Sequence, residues 1–126
     1  ATTAPYQNID REFDVVEMAT AAGATFVARS TTFHAQQATD LIKQAILHEG
    51  FSVVEILSQC PTHFGRKNKQ GAAADMMALY KDITVPIGSK KKKENPDLIE
   101  RGIFVQNEAP EYCREYEKII AKAMKG

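Results

Sequence analysis

What this chain has little of narrows it first. Its 126 residues include two cysteines, Cys60 and Cys113. That is too few for a disulfide framework, and it fits a protein of the reducing cytoplasm. No apolar run approaches the ~18 residues needed to cross a bilayer, and the start carries no signal-peptide pattern, so no membrane partner is expected. Neither sign of charge is in excess, because 16 basic side chains face 16 acidic ones. That balance argues against a nucleic-acid or polyanion binder. There is no Gly-rich phosphate loop, no paired-cysteine metal motif and no nucleophile elbow. Internal repeats are absent too, and the only low-complexity segment is Lys90–Lys93. An initiator Met is also lacking. The chain opens on the polar, irregular run Ala1-Thr-Thr-Ala-Pro-Tyr-Gln-Asn8. It reads as a piece of a longer protein, with a processed or tagged start as the alternative.

What is present is ordinary for a soluble globular protein: 44% apolar and 25% charged residues, with enough length for one real core. Residues 1–9 form an irregular leader, where Pro5 breaks any helix. Residues 10–82 form an α/β core, and residues 83–126 an irregular connection with a closing helix. A first helix is predicted from Asp10 or Arg11, with Phe13, Val16 and Ala19 or Thr20 at helical spacing and Gly23 as its left-handed cap. Ala24–Ala28 is a short buried-strand candidate. Ser30, Thr31 and Thr32 can cap a second helix, in which Ala38, Leu41, Ile42, Ala45 and Ile46 make an apolar stripe. Gly50 ends that helix, and Phe51–Leu57 follows as the central strand.

Five of those seven residues are apolar without strict alternation, the pattern of a strand covered on both faces in a parallel sheet. Strand, helix and strand over residues 24–57 have the size and order of a βαβ unit, with the two strands adjacent and parallel. Farther on, Ala72–Asp82 is predicted helical with Met76, Leu79 and Tyr80 inward. Ile83–Gly88 reads as an irregular connection because of Pro86, and Ser89–Pro96 as a charged loop. Gly102–Gln106 is a short edge strand. Pro110 suits the first turn of a last helix, whose Tyr112, Cys113, Tyr116, Ile119, Ile120 and Ala123 share one face. A sheet this narrow leaves apolar surface uncovered, so the chain is expected to self-associate.

In parallel sheets the chemistry gathers past the carboxyl ends of the strands. The loop Ser58-Gln-Cys-Pro-Thr-His-Phe-Gly-Arg66 stands there, with Cys60 and Pro61 at its centre. Spacing alone does not make Cys60 a metal ligand, because one thiolate is not a site. His34, His48 and His63 show no ligand spacing, and the first two fall near the ends of one helix, where exposure is the default. The lysine run is a solvated loop before it is a binding patch. Arg29 can pair with an acidic neighbour or with a partner subunit. Cys113, on the apolar stripe of the last helix, reads as a buried unligated thiol.

Gly50-Phe-Ser-Val-Val-Glu-Ile-Leu-Ser-Gln-Cys-Pro-Thr-His-Phe-Gly-Arg66 resembles the C-terminal half of the β subunit of thiamine-diphosphate-dependent 2-oxoacid:ferredoxin oxidoreductases. Thr3-Ala-Pro-Tyr6, Phe13-Asp14 and Ala22-Gly-Ala-Thr-Phe-Val-Ala-Arg29 match upstream in the same order. The likeness is close over residues 1 to about 70 and loose beyond. Pro-Thr-His-Phe-Gly-Arg-Lys-Asn is most similar to the 2-oxoglutarate branch.

The resemblance implies oxidative decarboxylation of a 2-oxoacid to an acyl-CoA. It implies thiamine diphosphate, magnesium and a 4Fe–4S cluster as cofactors of the intact enzyme, α and possibly further subunits as partners, and ferredoxin or a similar acceptor. The family's diphosphate-binding Gly-Asp-Gly segment and its upstream cluster cysteines have no counterpart in these 126 residues. The isolated chain is therefore expected to hold no cofactor and to be inactive. The family's cluster-completing cysteine, which precedes Pro-Thr, carries over to Cys60. Gln7 stands where the family often has Gly. Two other readings compete: a non-catalytic α/β assembly or binding module, and a small enzyme with Cys60 as nucleophile. The second of these is weak because no His or acid is visibly placed to activate the thiol.

Overall fold

The computed structural model describes Tyr6 and residues 8–125. Thr3, Ala4, Pro5 and Gln7 lie outside the described residues, and with them most of the first resembling motif. The elements run α1 (Val15–Ala21), β1 (Phe26–Thr31), a 3₁₀ turn (Thr32–His34), α2 (Ala35–Leu47), β2 (Ser52–Leu57), a π turn (Pro61–Gly65), α3 (Ala73–Ile83), β3 (Thr84–Pro86), α4 (Lys90–Glu94), β4 (Ile99–Gln106) and α5 (Tyr112–Ala123).

The βαβ expectation holds. β1 and β2 pair in parallel, from Phe26 opposite Ser52 to Thr31 opposite Leu57, and α2 packs on both. The centre of the sheet is nevertheless β1 and not β2. The strand order is β2-β1-β4-β3, all six residues of β1 are buried, and every residue of β2 keeps partial exposure. β2 is an edge strand. Its apolar run is rich because Val53 and Val54 serve opposite faces, and such a run does not reveal how many neighbours a strand has.

The sheet is mixed rather than parallel throughout. β4 runs antiparallel to β1, with a register irregularity at Val27/Ala28, and β3 runs parallel to β4. β4 is longer than predicted and lies inside the sheet, because β3 covers its far side. The reading of Ile83–Gly88 as irregular missed β3. Pro86 ends this three-residue edge strand, where the missing N–H is tolerated. The lysine run is likewise a helical turn. Ser89 Oγ accepts from Lys91 N–H at 3.3 Å, and Lys92 Nζ donates to the carbonyls of Pro96 and Leu98 at 2.7 and 2.6 Å.

Side-chain alternation along β1 divides the core. Val27 faces Val16 and Ala19 of α1, with Ala24, Val53, Phe104 and Val105 around them. Phe26 and Ala28 face Leu41 of α2, with Ala45, Val54 and Ile103. α1 starts later than predicted because Asp14 is its cap, its Oδ1 accepting from the N–H groups of Val16 and Glu17 at 2.8 and 3.1 Å; Gly23 follows with φ +86°. Only Ala38 and Leu41 of the α2 stripe are buried, and Ile46 remains 76% exposed. Leu79 of α3 is exposed as well, whereas Met76 is buried. α5 buries none of its residues. Cys113 is therefore exposed, contrary to the expectation of a buried thiol. The ion pair Arg114–Glu49, at 2.6 Å, joins α5 to the segment after α2.

Candidate functional site

The loop after β2 closes as one π turn. Pro61 opens it, having no N–H to lose at a first-turn position. The N–H of Gly65 then reaches back to the carbonyl of Cys60 at 2.9 Å. Gly65 is buried against α3, where a built Cβ would stand 2.5 Å from Met76 Sδ. A residue without a side chain lets the turn lie on the helix.

This packing leaves Cys60 exposed on the rim of a cavity of about 340 Å³, lined also by Gln59, Phe64, Met76, Leu79 and Tyr80. The backbone N–H of Phe64, then that of His63, then the Thr62 hydroxyl hold the Cys60 thiol below its ordinary pKa. Thr62 Oγ1 lies 3.9 Å from Sγ. Cys113 moves the other way, raised by the hydrogen bond and negative charge of Glu111. Thiolates rather than thiols react. With both side chains exposed, Cys60 should be alkylated faster than Cys113 by iodoacetamide near pH 7.5, as read by peptide mass spectrometry at early times. Equal rates, or faster labelling of Cys113, would contradict the role given to the turn.

A thiolate held by backbone N–H donors suits one corner of an iron–sulfur cluster, whose sulfurs take such bonds. No group of three His, Cys, Asp or Glu among the described residues could hold a metal ion.

Arg29 is the second organised point. It is a buried cation in the middle of β1, 8% exposed. Nη2 donates to Asp14 Oδ1 at 2.8 Å and Nε to Glu55 Oε2 at 2.5 Å, while the guanidinium lies 5.4 Å from the centre of the Phe104 ring. Of the two partners open to it, an acidic neighbour is what it has, twice. Neither His34 nor His48 is freely exposed. His34 Nδ1 lies 2.8 Å from Thr31 Oγ1 and His48 Nε2 2.8 Å from Thr25 Oγ1. His63 is exposed in the π turn. Sequence reading gives Ser30 only a capping role and Arg101 and Gln37 no functional one, yet the three meet between β4, α2 and β1. No motif marks them.

Known proteins share this sequence and this arrangement. The model of the thiamine pyrophosphate enzyme, C-terminal TPP binding domain, matches residues 1–56. The 2-oxoglutarate synthase subunit KorB of Methanocaldococcus jannaschii is 42% identical over 125 residues, covering 97% of this chain and 46% of that protein. The chain is a homologue of 2-oxoacid:ferredoxin oxidoreductase β subunits. KorB of Methanothermobacter thermautotrophicus is 41% identical over 90% of this chain, and a 2-oxoacid:ferredoxin oxidoreductase subunit beta of Saccharolobus solfataricus is 28% identical over 94%. Among solved structures, the 2-oxoglutarate:ferredoxin oxidoreductase from Magnetococcus marinus, with 2-oxoglutarate, coenzyme A and succinyl-CoA bound, superposes with a TM-score of 0.72 at 25% identity. That match covers 96% of this chain and 43% of the other. The chain thus spans about half the length of these β-subunit relatives. No helix of the described residues is long and apolar enough to cross a membrane.

Proposed function

We propose that this chain is part of the β subunit of a 2-oxoacid:ferredoxin oxidoreductase acting on 2-oxoglutarate. The relatives at 40–42% identity carry that reading, since each is named a 2-oxoglutarate synthase subunit. When bound, thiamine diphosphate with magnesium supplies the decarboxylation chemistry, and a 4Fe–4S cluster carries the electrons toward ferredoxin or a similar acceptor. The contribution of these residues is narrower. Cys60 supplies one thiolate from a turn that the Gly65 N–H and Pro61 hold in place. His63 and Phe64 aim N–H donors at the sulfur and so stabilise its charged form. The sheet and α3 present that turn at the edge of the domain, and α subunits complete the assembly.

The isolated 126-residue chain is expected to be inactive and self-associated. Assayed with 2-oxoglutarate, coenzyme A, thiamine diphosphate and a viologen dye, it should give no reduction above background. Light scattering on the same sample at tens of micromolar should report more than a monomer, because Ile46, Leu47 and Phe51 together with the α5 face are exposed. Turnover by this chain would contradict the assignment of catalysis to the whole assembly. A clean monomer would contradict the self-association.

A further inference from the structure

Two arginines stand on opposite faces of the sheet, and the fold treats them differently. Arg29, toward α1, is answered by the carboxylates of Asp14 and Glu55. Arg101, in β4, reaches toward α2, where its Nη1 donates to Gln37 Oε1 at 2.9 Å. That same oxygen accepts from Ser30 Oγ at 3.2 Å. Among the described residues no carboxylate lies within ion-pair distance of Arg101. Its Nε is shielded from solvent and has no hydrogen-bond partner. A guanidinium keeps its charge and offers five donors. One neutral amide oxygen, already shared, leaves that charge uncompensated, and buried polar groups without partners are rare in folded proteins.

The surroundings do not cancel that charge. His34 is the N-cap residue of α2, and it is held below its ordinary pKa by burial and then by the Arg101 cation. α2 runs for 13 residues with no acid in its first turn. The 3₁₀ turn that leads into it is capped by the neutral Thr31 hydroxyl, which accepts from His34 N–H at 3.3 Å, so no negative charge meets the positive end of its dipole. Gln37 belongs to its first turn. Ser30 marks the carboxyl end of β1, the end of an α/β sheet where ligands gather. Thr32 Oγ1 donates to Gln59 Oε1 at 2.7 Å, which ties this corner to the loop that carries Cys60.

We propose that Arg101, with His34 and the first turn of α2, forms a binding site for the carboxylate or phosphate group of a small-molecule ligand. The planar guanidinium pairs with either group through two parallel N–H donors. Arg101 as a residue is only partly buried, and Gln37 is the neutral acceptor displaced. The site stands on this cluster alone and does not depend on the oxidoreductase reading.

The test is NMR titration of the full 126-residue chain, following the Arg101 Nε–H and the ring nitrogens of His34. Inorganic phosphate is added in one arm and succinate in the other, with sodium chloride holding ionic strength constant. The expected result is a saturable shift of both groups in at least one arm, with half-saturation on the order of 1–10 mM, as suits a few charge-assisted hydrogen bonds. Saturation by phosphate alone identifies a phosphoryl group, by succinate alone a carboxylate, and by both an oxyanion site that accepts either. Arg101→Gln should abolish the His34 response while the amide spectrum stays dispersed. If that variant fails to fold, Gln37→Ala serves instead; it removes the competing acceptor and should lower the half-saturation concentration. A weak linear drift, equal for Arg29 and Arg101 in both arms, would overturn the proposal.

Discussion

Cys60→Ser, introduced into an intact β subunit carrying this sequence, is expected to lose most of its cluster iron and visible absorbance on anaerobic purification. Cys113→Ser should keep both. The two thiols are the only ones in the chain and both are exposed, so exposure does not separate them. Their settings do. Cys60 starts a turn pinned by the Gly65 N–H and by Pro61, which restricts the backbone of the residue before it. Backbone N–H groups, those of Phe64 and His63 foremost, favour its thiolate. Cys113 sits in the first turn of a helix that buries none of its residues, beside Glu111, whose negative charge disfavours a second one. A cluster needs thiolates that converge and stay put, and only Cys60 offers that. Full iron and full electron transfer in Cys60→Ser would remove the cluster assignment and leave the turn a purely structural element.

Arg29→Met should be the most destabilising single change in the sheet, at about 3–5 kcal/mol, because it strands Glu55 and Asp14 without their common cation. The three side chains are 10%, 18% and 40% exposed, so Glu55 bears more of the loss than Asp14. Equilibrium urea unfolding of the chain would measure it, and adding Glu55→Gln to Arg29→Met should recover part of the loss. An effect below about 1 kcal/mol would place this ion pair with the weak surface pairs.

The same cluster gives acid sensitivity a sign. Burial raises the Asp14 carboxyl, but the Glu17 N–H, the Arg29 charge and the Val16 N–H together outweigh it, and the net shift is downward. A carboxyl depressed in the folded state stabilises the fold above its unfolded value, near 3.9, and that stabilisation fades as pH falls through the folded value.

The residues from Ala24 to Leu57 were legible because each signal there is local. Gly23 and Gly50 punctuate, the α2 stripe has helical period, and two apolar runs flank it. Placing β2 at the centre failed for a different reason. How many strands flank a run is decided by distant residues, here Ile99–Gln106, which took the other side of β1. Pro86 and the lysines hid β3 and α4, since a three-residue strand and a single helical turn are too short to show a period. Position marked Cys60 within its loop, but nothing in the order of residues announces that backbone N–H groups will converge on its sulfur. Arg101 was invisible for the opposite reason. Its significance lies in an acid that is not beside it.

The antiparallel seam between β1 and β4 also sets an order of events for a chain leaving the ribosome. β1, α2 and β2 are near neighbours in sequence, so their contacts close short loops and can form early. Among the described residues the remaining edge of β1 is closed by β4, from well downstream in the sequence, and that contact carries the larger loop-closure entropy. Until Ile99–Gln106 emerges, the most buried strand of the protein shows one row of unpaired backbone donors and acceptors to its surroundings. That interval, rather than the finished fold, is when the chain is most open to pairing with the wrong strand.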